Sequence, residues 1–455
     1  MLRRSWEACL PRSASNKRIV NTTSYLQSPS SARPTAGHRV LIAFFDYADV
    51  FEDFYPRYGV SQQSFATDWS ATGNHAYISL LQSHVGEVIW YETSLAPRVP
   101  HTRHAVTGAL IKFLPSSCLH RWMWKAFYMP HHAWRWRGAY RAFATVASYL
   151  ALLSIPLWRT IWRDRPDVLF VQSYSSGRFD VLLLMSRLLR LPLVVYHAGG
   201  LPDGYLGSRI RKYTLPRADR IVVPSQREAD MLLHRYRVSP EKLRLILTPM
   251  DTEVFAPTER VSACRALGLD PERKYLLFVG RLEDGVKRVS AIIRSFASIA
   301  GKHAAIDLLI AGDGRDNERL RKLADELAPG RIRFVGWVSE TLGKVQLYNC
   351  AECLIMASRR EGFPTVIAEA MACGTPVLAS DVGAISELVI DDETGWLFPP
   401  GDEQALQSRM SFLLEHPALL VSMRARVRKA ALDRVSPEKV AWALKECFGF
   451  SERLA

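Results

Sequence analysis

Two acids and the turn between them are the first residues in this chain that could do chemistry. The stretch SRREGFPTVIAEAMACGTPVLAS, residues 358–380, puts Glu361 in a loop and Glu369 inside an Ala-rich helical pattern. Taken alone, it reads as one acid complementing a helix dipole plus one surface glutamate. It also reads as a ligand site. Gly362 allows close backbone approach, and Pro364 is acceptable in the first turn of the next helix. The unpaired amides at that helix start, around Thr365, can hold a phosphate. Glu369, one turn in, can accept two hydrogen bonds from a vicinal diol such as that of a ribose. Glu361 can reach the hydroxyls of a sugar beyond the phosphates.

Residues of the opposite charge stand on an earlier loop. After YLLFVG comes RLEDGVKR, with Arg281 and Lys287 just before a helix. A guanidinium fork and an ammonium on one strand-to-helix loop suit a diphosphate, which needs charge and directed donors. Two solvated basic residues in a basic protein remain the alternative. Gly312-Asp313-Gly314 ends IDLLIAG as a partial dinucleotide fingerprint without its third glycine, which a tight turn also explains. Trp337-Val338, after IRFVG, is an apolar pair suited to a nucleobase slot. Acids for diols beside bases for phosphates fit a nucleotide-sugar.

The elements that must position these residues are legible. RVLIAFF, EVIWYE, DVLFVQ, LPLVVYH and DRIVVPS are short runs suited to a buried parallel sheet. Helical segments separate them at Asn74–His84, Arg178–Leu189 and Ser225–His234, the last opening on a Ser cap. A second array begins near Lys274 with YLLFVG, IDLLIAG, IRFVGW, CLIMAS and TPVLAS, and helices near 287–301, 315–327, 339–349 and 365–373. The Pro-containing stretch at 248–274 reads as the connection, so the expected division is 38–255 and 256–435, with 436–455 as a helix returning to the first domain. The fold class is α/β, two Rossmann-like doubly wound domains facing across a cleft. Ligands of open α/β sheets bind beyond the carboxyl ends of the strands, which is where these loops fall.

The 455 residues exceed one ordinary core. A net charge of +14 favours polyanionic partners such as phosphorylated small molecules or anionic lipid. Nucleic acid is not expected, since no recognised motif accompanies the charge. The seven scattered cysteines argue for a reducing compartment, and Cys350-x-x-Cys353 lacks the further ligands of a zinc site. No metal ligand set and no resident cofactor are expected. Residues 1–37, rich in Ser, Arg and Pro, read as a disordered tail, a mis-assigned start or a transit peptide, and lack a secretory apolar core. Residues 119–163 hold Trp122, Trp124, Trp134, Trp136, Trp158 and Trp162 among seven Arg/Lys and no acid. That composition suits an anionic membrane interface, acceptor binding or a packed insertion. The apolar run Ala142–Trp158 reads as a helix packed on the first sheet.

Taken together, FVGRL…VKR, IAGDG, FVGWV and SRREGFPTVIAEAMACGTPVLASDVGAISELVIDDETGWLFPPGD resemble the glycogen-synthase-like retaining glycosyltransferases, the glycosyl transferases group 1, of GT-B fold. The resemblance spans roughly residues 165–450 and is strongest over 275–402. It implies transfer of a hexose from a nucleoside-diphosphate sugar with retention, onto a glycan, lipid-linked or envelope-polysaccharide acceptor. It implies a cytoplasmic protein, peripheral to the membrane if the Trp/Arg segment binds lipid. By position, Arg281 and Lys287 match the diphosphate pair. Glu361, with the Gly362 and Phe363 amides, matches the hexose contact, and Glu369 the ribose contact. His197, ending LPLVVYH, matches the histidine near the reacting carbon, with a buried structural histidine as the alternative. The sequence also departs from the pattern. No Gly-Gly loop follows the first strand, leaving Gly59 or Gly73 as stand-ins. The spacing from Arg281 to Lys287 is one residue longer than the commonest, and Ala384 stands where a second glycine is frequent. No Asp-x-Asp stands in a suggestive context, so metal-independent transfer is expected. A sugar-nucleotide epimerase or hydrolase of this fold and a non-catalytic partner subunit remain the competing readings.

Overall fold

The apolar runs pair in parallel wherever both faces of a strand are covered, and two sheets result. A computed structural model describes residues 40–67, 73–99, 101–128, 137–197, 209–338 and 341–449. The expected tail at 1–37, Trp134 and Trp136 lie outside the described residues. The described residues belong to one compact unit, Arg39–Ala455.

The first sheet comprises β1 (Leu41–Phe45), β2 (Glu87–Ser94), β3 (Thr102–Arg103), β4 (Leu110–Pro115), β5 (Val168–Gln172), β6 (Leu193–Tyr196), β7 (Arg220–Val223) and β8 (Leu243–Leu245). Its order is β3-β4-β2-β1-β5-β6-β7-β8, parallel except for the β3–β4 pair. The second comprises β9 (Lys274–Val279), β10 (Ile306–Ala311), β11 (Ile332–Gly336), β12 (Cys353–Met356), β13 (Val377–Ser380) and β14 (Gly395–Phe398), in the order β11-β10-β9-β12-β13-β14, all parallel. β1 and β5, and likewise β9 and β12, are neighbours whose chains leave in opposite directions. Each pair marks the switch point where a doubly wound sheet opens a crevice. The loops after β9 and β12 carry Arg281, Lys287 and Glu361.

Several elements differ from expectation. β3, β4, β8 and β14 are not among the expected strands; they lie toward the edges of the two sheets, where a short or half-polar strand suffices. The expected Asn74–His84 helix is α-helical over Gly73–Leu80 and closes as a π-turn at Leu81–Val85, with the Gly86 amide on Leu81 O. The run Ala142–Trp158 is not one helix. It divides into Arg137–Ala151 and Ile155–Asp164 at a 44° bend, because Ser154 caps the second helix and Pro156 occupies its first turn. The connecting stretch holds a helix of its own, Arg260–Ala266.

The chain crosses from the first lobe to the second after β8 and returns at its end. The last helix, Pro437–Phe448, buries Val440, Ala441, Leu444, Cys447 and Phe448 in the first lobe's core, where Phe448 meets Phe170 edge-on at 5.4 Å. The two crossings touch: the Met250 amide donates to Val435 O at 2.8 Å.

Candidate active site

The loop after β13 shapes the loop after β12. Gly383 sits at φ +58, and a Cβ there would lie 2.0 Å from Glu361 O, so only glycine lets the two loops approach. The next residue, Ala384, donates its amide to Gly362 O at 3.2 Å. The backbone contact that pins Gly362 therefore needs no second glycine. The helix Thr365–Ala372 begins at Pro364 and buries Ile367, Ala368, Ala370 and Met371. Its Ala-rich composition reflects burial on every side.

Glu361 and Lys287 meet at 2.6 Å, both largely buried. The loop bearing Lys287 forms a short helix, Asp284–Lys287, and ends at Arg288, whose φ of 52° interrupts the turn before the Val289–Ala300 helix. The Arg359 amide donates to Val286 O at 2.8 Å, a second tie between the loops at the switch point. Arg281 pairs with Glu283 at 3.3 Å and leaves 66% of its side chain exposed, so its fork is accessible. Arg359 and Arg360 are exposed.

Glu369 is buried with both oxygens engaged. Lys344 approaches one at 2.9 Å, and the Tyr348 hydroxyl donates to the other at 2.6 Å. Burial, and then the adjacent carboxylate, push that hydroxyl well above the usual phenol range, so Tyr348 remains a donor. Lys344 and Tyr348 stand four apart on the Thr341–Cys350 helix and share a face. Sequence reasoning does not single them out, because their role depends on a partner more than twenty residues downstream.

The remaining predicted contacts are distributed less tightly. Trp337 is 66% exposed beyond β11, and Val338 is half-buried. Phe363 packs against the second core. Gly312, at φ +143, would place a Cβ 1.9 Å from Gly280 O, so neighbouring backbone explains this glycine without a ligand. Gly73 opens the Gly73–Leu80 helix, and Gly59 closes a 3-10 turn at φ 72°.

On the first sheet, His197 follows β6 and stacks on Tyr174, with ring centroids 4.4 Å apart. Its Nδ1 lies 2.9 Å from Glu228 Oε1, which also accepts from the Tyr174 hydroxyl at 2.5 Å. An ionised carboxylate only accepts, so Nδ1 carries the proton. Sequence reasoning misses Glu228 because Ser225-x-x-Glu228 has the spacing of a capping box. Ser225 does cap the Gln226–Tyr236 helix through the Glu228 amide, but the acid's side chain turns to the histidine.

The loop after β1 is a cluster of acids around Arg178. That guanidinium lies 3.6 Å from Asp46 and donates to Ala48 O at 2.6 Å and Gln172 O at 2.9 Å. Burial raises the Asp46 and Glu92 carboxyls and pushes Asp49 up to about 6, against the pull of Arg178. Among the described residues, no three His, Cys, Asp or Glu side chains converge as metal ligands, and the described cysteines are all free thiols.

Residues 263–434 match the family model described as glycosyl transferases group 1, and residues 137–254 match glycosyltransferase family 4. The second lobe thus carries the pattern of the glycosyl transferases group 1. It is similar to D-inositol 3-phosphate glycosyltransferase of Mycobacterium marinum, with 31% identity over 48% of this chain and 47% of the relative. It also resembles D-inositol 3-phosphate glycosyltransferase 1 of Catenulispora acidiphila, with 28% identity over 57% of this chain and 66% of the relative. The chain thus spans about half to two thirds of the length of these curated relatives. Its GT-B fold is shared with Anabaena HepE solved with UDP, at a TM-score of 0.66 and 16% identity over 91% of this chain and 100% of that one. Sucrose-phosphate synthase from Thermosynechococcus elongatus shares it too, at a TM-score of 0.65 and 21% identity over 92% of this chain and 100% of that one. The acids and bases of the candidate site stand on the strand-end loops and helices of that fold.

Proposed function

We propose that the protein transfers a hexose from a nucleoside-diphosphate sugar to an acceptor hydroxyl with retention of anomeric configuration. The observation that carries this reading is the pairing of Glu361 with Lys287 and of Glu369 with Lys344 and Tyr348 around one helix start. Glu369 takes the ribose diol, exchanging its lysine contact for hydroxyl donors. Glu361 takes the hexose, while Lys287 and Arg281 receive the diphosphate. As the glycosidic bond to the β-phosphate breaks, negative charge grows on the leaving oxygens. These two cations and the Thr365 helix start stabilise that charge. The bases then do the work of a divalent ion, and turnover in excess EDTA is expected to match turnover in Mn²⁺. His197 lies on the opposing lobe, with Glu228 holding its proton on Nδ1, so Nε2 is the nitrogen offered to the substrate. The test is nucleoside-diphosphate release from a panel of nucleoside-diphosphate sugars, with and without cell-derived acceptor. Release only with acceptor supports transfer. Release without it indicates a hydrolase, and none with any donor indicates a binding subunit.

The acceptor side has a surface suited to a lipid-linked substrate. Leu119, Trp122 and Phe127 are exposed on the Cys118–Phe127 helix beside Arg121 and Lys125. Ile155 and Trp162 are exposed one heptad apart on the Ile155–Asp164 helix, with Arg159 between them. The helix starts adjoin, since the Ser117 amide donates to Ala151 O and Ser154 Oγ to Pro115 O. Exposed Trp flanked by Arg suits an anionic bilayer surface. No single described helix is long and apolar enough to cross a membrane. Flotation with anionic liposomes should carry the protein upward at low salt, and the Trp122→Ala/Trp162→Ala pair should weaken this by roughly ten-fold. Absence of flotation at low salt would remove the membrane reading.

A further inference from the structure

The two halves of the candidate site are joined through three consecutive residues at the start of the Gln226–Tyr236 helix. The Gln226 amide, one of the unpaired donors at that helix start, donates to Glu387 Oε1 of the second lobe at 2.8 Å. Arg227 extends to the loop after β13, donating to Asp381 Oδ2 at 2.6 Å and Asp381 O at 3.0 Å. Glu228 turns the other way and holds His197 Nδ1 at 2.9 Å. On the far side, Asp381 begins the Asp381–Ala384 segment that packs on Glu361 O through Gly383 and donates to Gly362 O through Ala384. A path of bonded neighbours thus runs from His197 to Glu361 through the lobe-to-lobe contact.

We propose that Arg227 is a positioning residue: its bond to Asp381 fixes the helix start that carries Glu228, and so sets His197 when the lobes are together. This role rests on the transferase reading. Arg227 and Asp381 are both part-exposed, so their pairing adds little to stability and its loss leaves the fold intact. What the pair provides is alignment. Separation of the lobes frees Glu228 and His197 to move as one body away from Glu361. The histidine is therefore in place only in the conformation in which Asp381 and Glu387 are engaged.

The experiment compares the full chain with Arg227→Gln, Asp381→Asn and the exchange Arg227→Asp/Asp381→Arg. Each single change should lower kcat by roughly ten-fold. Donor KM should move less than about two-fold, since the donor contacts lie on the second lobe. The exchanged pair should recover most of kcat. In parallel, the ¹⁵N resonances of His197 should show a protonated, exchange-protected Nδ1 in the unaltered chain and lose that protection in Arg227→Gln. Unchanged kcat and unchanged His197 resonances in both single variants would overturn the proposal, as would an exchanged pair no better than either single change. If the unaltered chain turns over no donor, the transferase reading fails. The His197 resonances then decide the coupling on their own.

Discussion

At the scale of single residues, the roles proposed for the two carboxylates are ones that kinetics can separate. Glu369→Ala should weaken binding of a free nucleoside diphosphate by at least ten-fold, whereas Glu361→Ala should lower turnover more than affinity; isothermal titration beside steady-state rates checks both. Tyr348→Phe removes one hydrogen bond to Glu369, worth about 1 kcal/mol, and should cost roughly five-fold in the same titration. Asp49 offers a pH test. Burial raises its carboxyl from 3.8 to about 6, so between those values the folded chain holds a proton that the unfolded chain has released. Stability from this group therefore falls as pH rises through 6 and is restored toward pH 4. Asp49→Asn should stabilise the protein by about 3 kcal/mol at pH 7.5 and by far less near pH 4, measured by urea denaturation. Glu361, Glu369, Arg281 and Lys287 are legible in the sequence because their types, beside turns that follow apolar strands, already suit a nucleotide-sugar. Lys344, Tyr348, Tyr174 and Glu228 are not, since each acquires meaning only from a side chain that folding brings beside it.

At the scale of elements, the loop pair after β12 and β13 is the least tolerant part of the site. Gly383→Ala forces a left-handed residue and drives a Cβ into Glu361 O. It should destabilise the protein by about 2 kcal/mol or more and depress turnover beyond what the loss of stability explains. A thermal melt beside kcat at a fixed temperature separates the two effects. The central strands are legible as continuous apolar runs, because parallel strands covered on both faces must be apolar throughout. β4 escapes such a reading because Lys112 interrupts LIKFLP, and the structure shows why it is tolerated: its ammonium meets Asp164 at 2.7 Å. The bend after Ala151 is half visible, since Pro156 marks it but nothing local distinguishes Ser154 as the cap that starts a new helix.

At the scale of the whole molecule, the last helix makes the lobes interdependent. Leu444, fully buried in the first lobe's core, is contributed by the chain's final crossing. Leu444→Ala should cost about 3 kcal/mol and lower the melting of the first sheet, although the residue follows the second lobe in sequence. Differential scanning calorimetry reads this as a shift of the first-lobe transition. The adjoining crossings at Met250 and Val435 have a further consequence. One protease cut between residues 251 and 258 would sever the polypeptide without releasing either lobe. The uncut tie at 435–437 and the buried Pro437–Phe448 helix would hold two fragments together as a complementing pair. Such a nicked protein should elute as one species in native buffer and separate into two only in denaturant. The lobes could then be isotope-labelled separately and rejoined.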